Sequence, residues 1–388
     1  MTRSEKNYRT QVIPALAGYE TAWDALVEHA AGGHVMLSSA YLGTMERTGC
    51  VGGRSGWSAQ HLLLWDGDEL AAACPLYVKA HSYGEYVFDW AWADAYERSG
   101  LPYYPKLLCA LPFTPVPGAR LLARDDAARA ALVDVLTQAM DDNALSSVHV
   151  LFPDDASAAT LQAAGWLKRS GVQFHWTNAG YSHFDEFLTQ LSQKKRKNIR
   201  AERRAVHEHG LQFDWLDGRS AQPEHWRFFY RCYANTYRAH HSTPYLNERF
   251  FIELAEASPD KVRLCMARDA TSPIAASFFI YEAGRLYGRY WGAMRFVPLL
   301  HFELCYYQAI EYAIAQKLQV FEGGAQGEHK MARGLMPVPT CSFHRLAHPE
   351  FAQAIERFLA REAGGIDQYL DDLNERTPFK RRSSVEQK

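Results

Sequence analysis

The run Leu318-Gln319-Val320-Phe321-Glu322-Gly323-Gly324-Ala325-Gln326-Gly327-Glu328-His329-Lys330 decides the fold. Residues 318–321 read as a short strand, and a glycine-rich polar turn follows them. Glycine there lets the backbone approach a ligand and leaves N–H groups facing it. Immediately upstream, Leu300, Leu304, Tyr307, Ile310 and Ile314 recur at the period of an amphipathic helix. Helix, strand and polar turn in that order make an α/β unit. The same order appears earlier, where a helical pattern over 125–140 precedes a strand pattern over 148–152. The expected fold is α/β with mixed sheets, built from two similar halves, residues 1–175 and 176–388. With no flexible linker near residue 175, a rigid joint is expected, with a cleft between or within the halves.

The remaining elements follow the same periodicities. In the first half, helices are expected over 19–29 and 38–47, and strands over 61–65 and 70–79. Tyr83–Asp94 alternates strictly and reads as a strand with Tyr86, Phe88, Trp90 and Trp92 on one face. Glu85 and Asp89 fall on its other face, about 13 Å apart if the strand is straight. In the second half, helices are expected over 184–207 and 223–238, and strands over 211–215, 262–268, 274–281 and 286–292.

Composition narrows the function classes. The chain has 388 residues, 47% of them apolar and 22% charged, which describes a soluble globular protein. A net charge of -2 supplies no global field for DNA or a membrane, so any polyanion contact must be local. No apolar run reaches membrane-spanning length, and no apolar stretch of signal-peptide length opens the chain. The cysteines, odd in number, form no C-x-x-C pair, which fits a reducing compartment, and a cytoplasmic protein without a metal site is expected.

Four segments carry chemistry. Lys194, Lys195, Arg196, Lys197, Arg200, Arg203 and Arg204 are opposed within that run by Glu202 alone. On a helix, Arg196, Arg200 and Arg203 stack along one stripe suited to phosphate. A solvated helix face is the alternative, but like charges at i, i+4 destabilise a helix unless something neutralises them. The glycine-rich turn crowds Gln326, Glu328, His329 and Lys330 at a strand end. It matches neither a P-loop nor a dinucleotide fingerprint. Tyr287-Gly288-Arg289-Tyr290-Trp291-Gly292 has glycine at alternate positions, which marks close approach of a ligand or another chain segment. His301 and Glu303 follow at the head of the next helix. Finally, Glu85 and Asp89 offer carboxylates to a substrate amine. Neither His-Glu-x-x-His nor Gly-x-Ser-x-Gly occurs, so zinc-protease and serine-nucleophile chemistries are unsupported.

These strings resemble a bacterial family of N-acyltransferases grouped with the FemAB-like peptidoglycan-bridge enzymes of the GNAT superfamily. The likeness is carried by 194–200, 286–292, 300–307 and 321–330. In the first half it is carried by 84–90, Tyr103-Tyr104-Pro105-Lys106 and Pro112-Phe113-Thr114-Pro115, and near the end by Pro378-Phe379-Lys380. The resemblance implies two tandem GNAT-like domains and transfer of an aminoacyl group from aminoacyl-tRNA to an amine. The acceptor would be peptidoglycan-related or a secondary metabolite. The pyrophosphate signature of acyl-CoA enzymes is not recognisable here, whereas Gly323-Gly324 followed by Lys330 is similar to the strand-end pattern of the Fem group. An acyl-CoA or acyl-carrier-protein donor remains the alternative, and a non-catalytic module that recognises glycopeptide or RNA is a third reading.

On this resemblance, donor binding is expected from Lys195, Arg196, Arg200, Arg203, Arg289, Gly323, Gly324, Gln326 and Arg333. Acceptor binding is expected from Glu85, Asp89 and Trp291, and catalysis from Glu303, His301, Glu328, Lys330 and Tyr290. Arg333 and Lys330 would face donor phosphate or an oxyanion, and Glu303, His301 or Glu328 would accept the amine's proton. The chemistry requires no covalent enzyme intermediate and no bound cofactor.

Overall fold

The computed structural model describes residues 7–282, 284–324 and 327–380. These form two compact units: the chain up to Gly171 with Pro339–Asp367, and Val172–Val338 with the chain from Gln368 onward.

The first unit runs β1 (Arg9–Ile13), α1 (Glu20–Ala31), α2 (Ser39–Arg47), β2 (Trp57–Ala59), β3 (His61–Asp66), β4 (Glu69–Cys74) and β5 (Leu76–Lys79). It continues through α3 (Trp90–Arg98), β6 (Lys106–Cys109), β7 (Leu122–Ala123), α4 (Asp126–Asp142), β8 (Ser147–Leu151) and α5 (Asp155–Ala163). Strands β1, β3, β4 and β7 form one antiparallel sheet. In the second sheet β2, β5, β6 and β8 follow in order, with β6 and β8 parallel. Helix α4 starts where Asp125 accepts the Ala128 N–H at 2.8 Å, which satisfies one orphan amide of its first turn. Its stripe Leu132, Val133, Leu136 and Met140 packs with Leu62, Leu64, Val148 and Val150.

Two expectations for this unit need correction. The apolar run 70–79 is not one strand, because β4 and β5 part on either side of Pro75 and enter different sheets. Nor is Tyr83–Asp94 a strand. Gly84 and Tyr86 take left-handed φ values of 80° and 62°, which break an extended chain, and a helix begins at Trp90. Alternating aromatics fit that helix equally well, since Trp92 and Tyr96 lie one turn apart and both enter the core.

Strand β9 (Leu167–Thr177) leads into the second unit. There follow α6 (Phe184–Gln190), α7 (Gln193–His207), β10 (Gln212–Asp217), α8 (Pro223–Ala239), α9 (Glu248–Ala257), β11 (Val262–Arg268), β12 (Pro273–Glu282) and β13 (Arg285–Ala293). Then come α10 (Leu300–Phe302), a π-helical turn (Glu303–Tyr307), α11 (Gln308–Ala315) and β14 (Val320–Glu322). Strands β10 to β13 are antiparallel neighbours, β14 runs parallel to β13, and β9 closes the order against β14. The helix expected over 184–207 is broken at Leu191 and Ser192. Leu191 is extended and buried, the Ser192 N–H donates to the Pro378 carbonyl at 2.9 Å, and Leu191 bridges Phe379. A tertiary partner far along the chain interrupts a helical pattern that is continuous in sequence.

Strand β15 (Met336–Leu346) brings the chain back, and Ser342–Leu346 pair antiparallel with β8. Helix α12 (Pro349–Glu375) follows, with Ile355 and Leu359 packed among Trp92, Tyr96 and Tyr103. Residues 339–367 therefore belong with the first unit, whereas the sequence reading grouped them with 176–388. Partners more than 190 residues away in sequence leave no local signal.

Among the described residues, no helix is long and apolar enough to cross a membrane.

Candidate active site

In the second unit the parallel strands β13 and β14 pair over only three positions, ending at Tyr287 opposite Glu322. Beyond that point β14 turns away at Gly323, while β13 continues along β12. A cavity of about 130 Å³ opens where the two strands part. Arg289, Tyr290, Trp291, His301, Gly323 and Gly324 all line it, as do Ser277, Phe278, Cys305 and Tyr306. Arg289 is the position that the β12–β13 register skips, since Phe278 faces Tyr290 and Phe279 faces Gly288. Such a bulge twists a strand and re-aims its side chains, and bulges recur beside active sites.

The two glycines of β13 meet different neighbours, and a Cβ on Gly288 would lie 3.3 Å from the Glu322 carbonyl oxygen of β14. A Cβ on Gly292 would lie 1.9 Å from the Cys232 carbonyl oxygen of α8. The glycine thus admits the backbone of a helix, one of the two close approaches that glycine at alternate positions marked. Helix α8 is tied there by Thr236 Oγ1 donating to the Trp291 carbonyl at 3.0 Å and by Asn235 Nδ2 donating to the Ala293 carbonyl at 2.8 Å. Gly292→Ala is expected to cost about 1–3 kcal/mol or more, because backbone rather than a flexible side chain must move. Urea unfolding of the full chain measures it, and an unchanged midpoint would show that α8 yields without cost.

Lys330 reaches the glycine wall of the cavity. It is buried, and its Nζ donates to the Gly324 carbonyl at 2.7 Å. Burial pushes its ammonium down to about 8. Gly324 needs its glycine, because its φ is 85°. Next to Lys330, His329 Nε2 lies 3.1 Å from the Tyr306 hydroxyl. The His301 ring packs tilted against Trp291, with centroids 4.5 Å apart. Burial, then the His329, Arg333 and Lys330 charges, push His301 down to about 4. It is therefore a neutral imidazole at physiological pH.

Other candidates lie elsewhere. Glu303 is fully buried and is not among the residues that line the cavity, being paired with Arg203 at 3.0 Å and accepting from Gln308 Nε2 at 2.8 Å. It stands two residues from His301, and residues so spaced do not share a helix face. Glu328 is exposed, accepting from the Tyr369 hydroxyl at 2.8 Å, with Arg376 at 3.6 Å. Arg333 is buried and bound to Glu202. Gln326 lies outside the described residues.

The basic run occupies α7, and the structure divides it. Arg203 turns inward to Glu303 and Glu311, and Arg200 pairs with Asp185 at 2.9 Å on the surface. Lys194, Lys197 and Arg204 are exposed, and Lys195 and Arg196 are half-buried. The first turn of α7 contains no acid, so its lysines add to the positive end of the helix dipole.

Glu85 and Asp89 belong to the first unit and are not 13 Å apart. Both converge on Lys106 Nζ, at 2.9 and 2.5 Å, inside the protein. Tyr103 donates to Asp89 at 2.6 Å, and Ser82 Oγ accepts from Lys106 at 2.9 Å. Burial first, and then the Asp89 charge, raise the Glu85 carboxyl to about 7 against the pull of Lys106 and Lys79. Burial also opposes the Asp89 carboxylate, yet Lys106 holds it well below its usual range. The two carboxylates are engaged as a buried ionic cluster, so as they stand they do not present an acceptor site.

Sequence reasoning missed Cys305 and Tyr306 in the cavity wall. The signal was present, because Cys305 is one helical turn from His301. It also passed over Glu322, which is buried beside Arg285 at 3.0 Å and His175 at 3.7 Å. Burial pushes its carboxyl up to about 7.

Comparison with known proteins agrees with this architecture. The crystal structure of FemX is similar over 90% of this chain and 100% of its own, with 11% identity and a TM-score of 0.53. L-PGS from Bacillus licheniformis is similar over 87% of this chain and 96% of its own, again with 11% identity and a TM-score of 0.53. At such identity the likeness shows a shared fold. No curated protein matches the sequence significantly. Residues 18–381 match the FemAB-like family, described as peptidoglycan biosynthesis/recognition. With a splayed strand pair, a glycine wall and that match over nearly its whole length, the chain belongs to the FemAB-like family and is an acyltransferase.

Proposed function

We propose that the protein transfers an aminoacyl group from aminoacyl-tRNA to an amine, forming an amide on a peptidoglycan-related or secondary-metabolite acceptor. The observation that carries this reading is Lys330, a buried ammonium held at the Gly323-Gly324 wall where β13 and β14 part. The exposed cations of α7 support a polyanionic donor.

The reaction joins the acceptor nitrogen to the ester carbonyl carbon and breaks the bond from that carbon to the ribose oxygen of tRNA. As the nitrogen attacks, the carbonyl oxygen takes up negative charge, and an ammonium in a low-dielectric wall stabilises it without reorganising. Lys330, whose Nζ lies 2.7 Å from the carbonyl oxygen of the lining residue Gly324, supplies that charge, and Arg289 is a cation among the lining residues. The proton lost by the amine must reach the leaving oxygen. Of the three acceptors considered in sequence, His301 alone lines the cavity, and it is neutral. Glu303 is committed to Arg203, and Glu328 to Tyr369 and Arg376.

The test is binding of deacylated bulk tRNA against CoA over a salt series. Tight tRNA binding with a steep salt dependence is expected, and replacing Lys194, Lys197 and Arg204 by alanine should reduce the slope by about one per cation. Arg203 is left intact because its guanidinium holds Glu303. Binding of CoA alone would replace this donor with an acyl-CoA. Binding without turnover of any donor would favour a recognition module.

A further inference from the structure

Glu202 is the one acid in the stretch from Lys194 to Arg204, and the structure gives it a specific partner. Its Oε2 accepts from Arg333 Nη2 at 2.8 Å and from the Tyr307 hydroxyl. Arg333 ends the 3₁₀ turn Glu328–Arg333, and its Nη1 donates back to the His329 carbonyl at 2.8 Å. The guanidinium lies over the Phe302 ring, 3.5 Å from its centroid. One carboxylate on α7 thus binds together the turn that carries Lys330 and the π-helical turn that carries Cys305 and Tyr306.

We propose that Glu202 is a positioning residue: through Arg333 it fixes the turn 328–333 so that the Lys330 ammonium stays at the Gly324 carbonyl. The proposal rests on reading Lys330 as the cation that meets the oxyanion. A lysine has a long flexible stem, so the backbone from which it starts must be held by something else. The His329 carbonyl, which Arg333 grips, precedes Lys330 directly. The guanidinium is held by a charge-assisted bond to the one oxygen Oε2, which also accepts from Tyr307, and an amide at 202 keeps an acceptor there but removes the charge. Glu202 is one-quarter exposed at its side chain but Arg333 is buried, so breaking the pair also costs global stability, and the test is read on the folded chain.

The experiment uses the full chain and competitive labelling of lysine amines by acetic anhydride across pH, read for Lys330 by mass spectrometry. In Glu202→Gln, the labelling midpoint should move up from about 8 towards the 10.5 of a solvated lysine, and the high-pH plateau should rise several-fold. The transfer rate should fall roughly tenfold to a hundredfold with an unchanged donor KM. Glu202→Asp should recover part of both effects. Glu311→Gln, whose carboxylate meets Arg203 and not Arg333, should change neither. Unchanged Lys330 labelling in a folded Glu202→Gln overturns the proposal whatever the activity. If labelling shifts as expected while the native protein transfers nothing from aminoacyl-tRNA, Glu202 still positions Lys330, and the donor assignment fails instead.

Discussion

Replacing Lys330 by methionine is expected to lower the rate of aminoacyl transfer by about 10²–10³-fold, the loss typical of removing one pre-placed oxyanion partner. Methionine keeps the length and removes the charge, so the cavity wall stays filled. The same variant should be more stable than the native chain. Burial lowers the Lys330 ammonium from 10.5 to about 8, so the folded state binds its proton less well than the unfolded state does. Below pH about 8 both states are charged and the fold bears the full penalty, about 3 kcal/mol; above 10.5 neither state is charged and the penalty vanishes. Native stability should therefore rise with pH between those limits, and Lys330→Met should abolish that rise. For catalysis the protonated form is the useful one, so the rate should fall as pH climbs through about 8. A rate that rises there, and loses its rise in Lys330→Met, would make Lys330 a base and refute its role as the cation.

Lys106→Met should cost about 3–5 kcal/mol, because it leaves the buried Asp89 carboxylate without its counter-charge. Lys106 has no exposed surface and lies 2.5 Å from Asp89 and 2.9 Å from Glu85. The two carboxylates differ in what they lose. Glu85 already sits near neutrality and can take a proton, whereas Asp89 is held ionised by Lys106 and has no such relief. Denaturant unfolding followed by near-ultraviolet dichroism reports on this unit, since Trp92, Tyr96 and Tyr103 pack beside the cluster. Adding Asp89→Asn and Glu85→Gln should recover most of the loss, because coupled charges removed together leave no orphan. A cost below about 1 kcal/mol for Lys106→Met alone would mean that water reaches the cluster and screens it.

Most of the second unit was legible because its signals are local. The stripe from Leu300 to Ile314 packs in the core as its period requires, although the π-turn inside it left no mark in the pattern. The glycine-rich run does end a strand at a cavity, with Gly323 and Gly324 in its wall and Lys330 bonded behind Gly324. Arg289, Tyr290, Trp291 and His301 meet there because β13 runs on past the point where β14 leaves it. Glu303 was misplaced for want of a partner: a carboxylate near a helix start looks reactive until Arg203 is seen beside it. The stretch 83–94 misled because aromatics every second residue satisfy strand alternation, while Trp92 and Tyr96 also satisfy a helical turn.

Sequence by itself determined the α/β alternation, the basic character of 194–204 and the glycine turn with its lysine, because each is a property of neighbours along the chain. Tertiary structure alone decided which charges are spent. It turned Arg203 to Glu303, Arg333 to Glu202 and Lys106 to Asp89, across separations of 100, 131 and 17 residues. A charged side chain buried in a fold must find its counter-charge wherever the fold brings one, and local sequence carries no record of that distance.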